Sequence, residues 1–300
     1  MTATVEPQVR PTERSGSAVL MVLASCTSLQ VGAACAAQLF TAIGSTGTTF
    51  LRLAFAAAAL LLLVRPRVRG WDRGQWGRVI AFGVALAGMN GCFYAAIARI
   101  PLGTAVTIEF LGPLALAAVL SRRLRDLVWV ALAAAGVALL GVAEGGGAGW
   151  DWVGVGFALV AGAFWAGYIL TSARVGASVP GQSGLAVAVA VAALVLLPGA
   201  GGAAHAFTDP RLLVLAAVTG LLASVVPYSL ELAALRRLPP RVFGVLLSLE
   251  PAVATLAGWL LLHQGLGVVG AVAVGVVILA SAGSTLSARR PEDAPVPGAG

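Results

Sequence analysis

The sequence predicts an all-α, polytopic membrane protein of ten transmembrane helices, arranged as two inverted five-helix repeats with both termini in the cytoplasm. Three observations lead there. Of its 300 residues 59% are hydrophobic and only 10% are charged, too few to solvate the surface of a water-soluble globule. The apolar residues fall in runs that approach the ~20 needed to cross a bilayer. Finally, part of the first half is echoed 138 positions later, Arg99-Ile-Pro101 by Arg237-Leu-Pro239 and Glu109 to Pro113 by Leu247 to Pro251. Each copy lies among five spans, an odd number, so the second must stand upside down relative to the first.

Residues 1–17, rich in Pro, Thr, Glu and Arg, have nothing to bury and read as a disordered tail. The first repeat, 18–145, follows with spans at 18–41, 46–64, 79–98, 102–120 and 127–143. A Gly-rich link, Glu144 to Gly149, then leads to Trp150-Asp151-Trp152, whose indoles suit the membrane interface. The second repeat, 150–287, carries spans at 152–173, 183–198, 211–234, 242–261 and 265–286. The 183–198 run is short, and the parity of the repeat rests on it. Residues 288–300, ending Pro-Val-Pro-Gly-Ala-Gly, form a second disordered tail.

All nineteen cations are arginines, and their placement tests this count. With a cytoplasmic N-terminus, sixteen fall inside, only Arg99 and Arg211 fall outside, and Arg52 lies within a span. That bias orients the chain. The formal charge of +7 is spread over short connecting segments without interleaved aromatics, so the arginines act as topology determinants that also meet anionic headgroups, and nucleic acid is excluded as a partner. Cys26, Cys35 and Cys92 lie inside spans without metal-ligand spacing and read as packing residues. Leu23 to Cys26 resembles a lipoprotein cleavage box, but cleavage there would destroy the first helix, so the segment is expected to be retained.

Within the spans, small residues recur at intervals of four, as at Gly83, Ala87 and Gly91, and promote close helix packing. Proline is more selective. Pro113 and Pro251 break the fourth and ninth spans at matching positions, Pro227 breaks the eighth, and each frees a carbonyl four residues back. Paired breaks in corresponding helices of inverted repeats point to a substrate site near the membrane midplane.

Four ionisable residues lie at membrane depth: Arg52, Glu109, Glu231 and Glu250. Exposing all four to lipid would cost on the order of 10 kcal/mol, at ~2.5–3.5 kcal/mol each. They must face the interior, where Arg52 has either a structural salt bridge or a binding role. Ser224, Tyr228 and Glu231 follow steps of four and three and share one helix face. The 138-residue offset maps Tyr228 and Glu231 onto Asn90 and Phe93, and Trp165 and Tyr168 onto Thr27 and Gln30, so polar or aromatic groups recur at equivalent depths in both halves.

The chemistry narrows by elimination. The only histidines, His205 and His263, fall in loops, and the sequence has no phosphate-binding Gly-rich loop, no His/Cys metal cluster and no serine with a histidine base at membrane depth. No cofactor or metal is expected. A secondary carrier remains, in which a carboxylate holds a substrate ammonium or carries a proton.

Thr49 to Ala54, Ile108 to Pro113 followed by Ser121-Arg-Arg, Pro227-Tyr-Ser-Leu-Glu231, Arg237-Leu-Pro and Ser248-Leu-Glu250-Pro251 together resemble the drug/metabolite transporter superfamily of EamA type, most closely its threonine/homoserine exporter branch. The likeness spans residues 18–287. It implies a multi-pass bacterial inner-membrane exporter of amino acids or related metabolites, driven by the proton gradient, with a cavity among the third, fourth, eighth and ninth helices. The expected substrate-binding residues are Glu231 and Tyr228 for the ammonium, Arg52 and Asn90 for the carboxylate, and Tyr168 and Gln30 beside them. Glu109 and Glu250 are the proton-coupling candidates. Many relatives carry Gly-Glu after the ninth helix where this chain has His263-Gln264. The alternatives are the same fold with another metabolite or a hydrophobic cation as cargo, or a membrane scaffold or enzyme.

Overall fold

The computed structural model describes residues 11–121, 124–143, 151–235, 237–238 and 240–287. The tails at 1–10 and 288–300, the link at 144–149 with Trp150, and Arg122, Arg123, Arg236 and Pro239 lie outside the described residues, as do the side chains of Arg14, Arg125 and Arg241. The described residues form helices and no strand. The helices are α1 (Pro11–Ala37), α2 (Phe40–Val64), α3 (Arg73–Ile97), α4 (Leu102–Glu109), α5 (Leu111–Ser121), α6 (Leu124–Ala143), α7 (Trp152–Gly176), α8 (Ser183–Leu196), α9 (Pro210–Gly220), α10 (Val226–Leu235), α11 (Pro240–Leu247), α12 (Glu250–Leu262) and α13 (Val268–Ser287). Counting α4 with α5, α9 with α10 and α11 with α12 as single spans, eight are long and apolar enough to cross a membrane. The chain is a polytopic membrane protein.

Helix starts follow local chemistry. Asp72 caps α3 by accepting from the N–H of Gln75 at 2.8 Å while the Gln75 side chain accepts from the N–H of Asp72 at 3.0 Å, a reciprocal box. Asp151 caps α7 by accepting from Gly154 N–H at 2.9 Å, and Asp209 precedes Pro210 at the start of α9, where a missing N–H costs nothing. Between the first two spans the helix stops at Ala37, resumes at Phe40 and kinks at Gly44, whose φ of +72° only glycine adopts without strain.

The short run at 183–198 continues further than its hydropathy suggested. It turns through 97° beyond Gly199 into a 3₁₀ helix, Gly201–Thr208, which carries His205. This turn lies on α2: a methyl group on Gly47 would come 3.0 Å from the backbone nitrogen of Ala203.

The proline breaks have structural form. Pro113 cannot donate to the Glu109 carbonyl, and the helix divides between Glu109 and Leu111. Pro251 cannot donate to Leu247, and the helix divides between Leu247 and Glu250, the same place once shifted by 138 residues. Before Pro227 the chain takes a π-helical turn, Leu221–Val225. Two of these irregular segments meet glycine. A Cβ on Gly162 of α7 would lie 2.6 Å from the freed Glu109 carbonyl, Gly112 faces Gly162 in turn, and a Cβ on Gly32 of α1 would lie 2.8 Å from Ala223.

In the bundle, α3 packs on α7 and α8, α2 on α8 and α9, α1 on α10 and α12, α4 on α12 and α7, α5 on α6 and α7, and α6 on α13. Its largest buried cluster gathers Tyr94, Ile108, Phe110 and Leu102 around the break between α4 and α5, with Trp165 of α7 edge-on to Phe110 at 4.9 Å. Leu62, Leu63, Trp259 and Val268 stand exposed on the perimeter, as lipid contact requires.

Candidate functional site

The broken spans surround a cluster of polar groups drawn from α1, α2, α3, α4, α7, α10 and α12. Arg52, two turns into the straight part of α2, is 3% exposed. Its Nη1 donates to the Tyr94 hydroxyl at 2.8 Å, its Nη2 donates to Asn90 Oδ1, and its guanidinium carbon lies 4.9 Å from the centre of the Tyr94 ring. Asn90 is fixed in turn by donating to the Leu86 carbonyl at 2.8 Å. Asn90 and Tyr94 are one helical turn apart on α3, so both point at α2. The structural salt bridge left open for Arg52 is not formed: its partners are neutral, and its buried Nε has none. The one ion pair between described residues is Arg99 to Asp151 at 3.1 Å, at the exposed end of the bundle.

The carboxylates lie opposite. Glu109 closes α4 and is buried, within electrostatic reach of both Glu250 and Arg52. Glu250 opens α12, is buried, and accepts from Gln30 Nε2 of α1 at 3.3 Å. Glu231 on α10 is partly buried and accepts from Ser25 Oγ at 2.7 Å. Glu250 lies within electrostatic reach of Glu231. Tyr228, one turn before Glu231, lies in reach of Arg52, Glu231 and Tyr94, and Tyr168 of α7 in reach of Tyr228 and Glu231. Glu109, Glu231, Glu250, Arg52, Asn90, Tyr168, Tyr228 and Gln30 are thus assembled in one region from positions up to 220 residues apart.

The breaks supply backbone groups to it. Pro227 is buried with its carbonyl 3.4 Å from Ser25 Oγ, and Ser28 donates to the Leu222 carbonyl in the π turn at 2.7 Å. Pro251 is buried and Pro113 partly so. Buried polar atoms at the site lack partners: Gln30 Oε1, Arg52 Nε and Ser224 Oγ. Unpartnered groups in a dry interior are costly, and a polar solute would satisfy them.

Sequence reasoning missed two members. Tyr94 carries the signal that Asn90 carries, being four residues on along the same face. Ser25 had no signal beyond its polarity. The offset pointed to Thr27, which is exposed and bonded to its own Leu23 carbonyl at 2.8 Å, so Ser25, 200° away around α1, takes the inward place. Gln264 accepts from the N–H of Leu102 at 2.9 Å and so caps α4 from the α12–α13 connection.

A helical bundle that encloses three carboxylates and an arginine between broken helices is a membrane transporter of small polar solutes. The chain belongs to the EamA-like transporter family, whose model matches residues 152–286. It is 40% identical over 273 residues to the threonine/homoserine exporter RhtA of Escherichia coli (strain K12), covering 91% of this chain and 92% of that protein, and equally so to RhtA of Salmonella typhimurium (strain SL1344). A solved crystal structure shares the fold with a TM-score of 0.56 at 19% identity, over 90% of this chain and 97% of its own.

Proposed function

We propose that this protein exports small amino acids of the threonine and homoserine type across the bacterial inner membrane, as a proton-coupled, alternating-access carrier and not an enzyme. The observation that carries the reading is the buried Arg52, held by neutral Asn90 and Tyr94 and facing carboxylates it does not touch. An amino acid is a short zwitterion. Its carboxylate completes Arg52 and its ammonium meets Glu231 beside Tyr228, so the solute neutralises both ends of the site, and a buried charge is tolerable only when paired. Tyr168 and Gln30 flank it. Glu109 and Glu250, within electrostatic reach of one another across the two broken spans, carry the proton. The names of the relatives support the cargo.

In this reading the protein has ten spans in two inverted repeats, 18–145 and 150–287, with both termini in the cytoplasm; residues 11–17, expected from sequence to belong to a disordered tail, instead form the start of α1. The eight long spans, the bent pair Ser183–Gly199 with Gly201–Thr208, and the shorter Asp126–Gly141 support the count. Packing supports the symmetry, since α1 on α9 and α10 has its counterpart in α7 on α3, and the breaks near Pro113 and Pro251 coincide after the shift. The two repeats rock about the site, exposing it to each side in turn.

The test is uptake of labelled homoserine and threonine into inside-out vesicles, with and without an imposed acid-inside gradient, for the native chain and Glu231→Gln. Gradient-dependent uptake that the variant loses is expected. No uptake by folded native protein would move the cargo to another metabolite or a hydrophobic cation, which competition with unlabelled candidates identifies.

A further inference from the structure

A cavity of about 600 Å³ lies away from the central site, where the end of α2 meets the connection between α7 and α8. Arg65, Arg67, Trp71, Val179, Pro180 and Ser183 line it. Neither the Arg65 nor the Arg67 side chain forms a hydrogen bond or ion pair with any described residue, and both are exposed. Arg65 ends α2 with φ at +47°, a left-handed position where glycine is the relaxed choice, its N–H bonded to the Leu61 carbonyl at 3.0 Å. An arginine held there against backbone strain leaves its guanidinium free to meet a partner outside the chain.

The surroundings identify that partner's chemistry. Ser183 opens α8, whose preceding residue Gln182 provides no side-chain cap, so free backbone N–H groups add to the positive field of the two arginines. The other walls are apolar, and Leu62 and Leu63 just before the cavity are each 73% exposed on the lipid-facing surface. Trp71 packs edge-on to Trp76 at 5.2 Å, the amphipathic pair expected at headgroup level. A phosphate group with apolar chains attached satisfies both the cationic and the apolar walls. We infer that this cavity is a site for an anionic glycerophospholipid, its phosphate between Arg65, Arg67 and the start of α8 and its acyl chains along Leu62 and Leu63.

The full chain, purified in neutral detergent, is titrated with phosphatidylglycerol, with phosphatidylcholine and with inorganic phosphate, and retained lipid is counted by native mass spectrometry. Phosphatidylglycerol is expected to bind in preference to phosphatidylcholine. The double variant Arg65→Gln, Arg67→Gln should weaken that binding roughly thirtyfold, from about a factor of five per arginine at a charged membrane surface. Ser183→Trp, which fills the cavity and leaves every charge in place, should weaken it too. The double variant Arg78→Gln, Arg174→Gln, which removes two exposed cations outside the cavity, serves as the charge-matched control and should leave binding unchanged. Equal loss in this control would mean diffuse attraction and overturn the site. Full binding by Ser183→Trp would do the same, and displacement of lipid by millimolar phosphate would make the occupant a free anion.

Discussion

Gly162→Ala isolates the contact on which the break between α4 and α5 depends. A methyl group there would lie 2.6 Å from the Glu109 carbonyl oxygen and 3.3 Å from the Gly112 nitrogen, so α7 must retreat by about 0.8 Å to restore an ordinary 3.4 Å contact. The obstacle is backbone, which cannot rotate aside as a side chain would. Against immovable backbone the upper part of the overpacking range applies, ~2–3 kcal/mol, offset by ~1 kcal/mol because alanine favours helix over glycine, leaving a net loss of about 1–2 kcal/mol. Gly156→Ala is the internal control, in the same helix with nothing within 4 Å of the added methyl, and should be neutral or slightly stabilising. Thermal unfolding of the purified proteins should place Gly162→Ala roughly 2–6 °C below the native chain. Homoserine transport should fall as well, because the displaced atom belongs to Glu109. Equal melting temperatures for the two variants would refute the close approach, and with it the explanation of why the carbonyl freed by Pro113 needs no other partner.

Other consequences follow from the same geometry. Ser25→Ala removes the 2.7 Å bond to Glu231, and loss of ~1.5 kcal/mol of charge-assisted hydrogen bonding should raise the homoserine KM about tenfold; an unchanged KM would mean that Ser25 does not position Glu231 for substrate. Arg52→Lys keeps the charge but loses the planar fork that engages Asn90 and Tyr94 together, so transport should be largely lost while the protein still folds, and near-native transport would contradict a carboxylate-clamping role. The cap from Gln264 to Leu102 is worth ~1 kcal/mol, so Gln264→Ala should lower the melting temperature while Gln264→Glu, which keeps an acceptor, should not. Asp151 titrates below the ordinary aspartate range because it accepts from the Gly154 N–H and then because Arg99 is beside it. A depressed folded value means that its contribution is present above the unfolded value of about 3.9 and is lost as pH falls through the folded one. The melting-temperature difference between native and Asp151→Asn should therefore be constant near neutrality and shrink as pH falls below about 4; a difference that stays constant throughout the acid range would contradict the linkage.

Much of this molecule is legible along the chain. Membrane residence follows from composition, because hydrocarbon excludes charge and the chain carries little. The breaks near Pro113, Pro227 and Pro251 follow from a local fact, that proline has no N–H to give. Arg52, Glu109, Glu231 and Glu250 stand out because at membrane depth their cost is too high to be incidental. These are properties of single residues or of short windows, and a sequence displays them directly.

What each polar group meets is a different kind of quantity. Thr27 and Ser25 are two residues apart and equally polar, yet one is exposed and the other holds Glu231, 206 positions away. Each step along a helix turns a side chain by 100°, so an error of two residues points it to nearly the opposite side. The bend beyond Gly199 escaped hydropathy because a 3₁₀ turn of Gly and Ala has almost no periodic signal, and its place against α2 depends on Gly47 making room. The cavity at Arg65 likewise needs α8 to begin beside the end of α2. Membrane crossing, the places where the helices break and the charges that cannot face lipid are all written along the chain, since those are costs each residue incurs alone. The tertiary structure decided which groups share a site, which stay unpartnered, and where the apolar and cationic walls meet, because those depend on helix rotation and approach, set jointly by contacts between residues far apart in the chain.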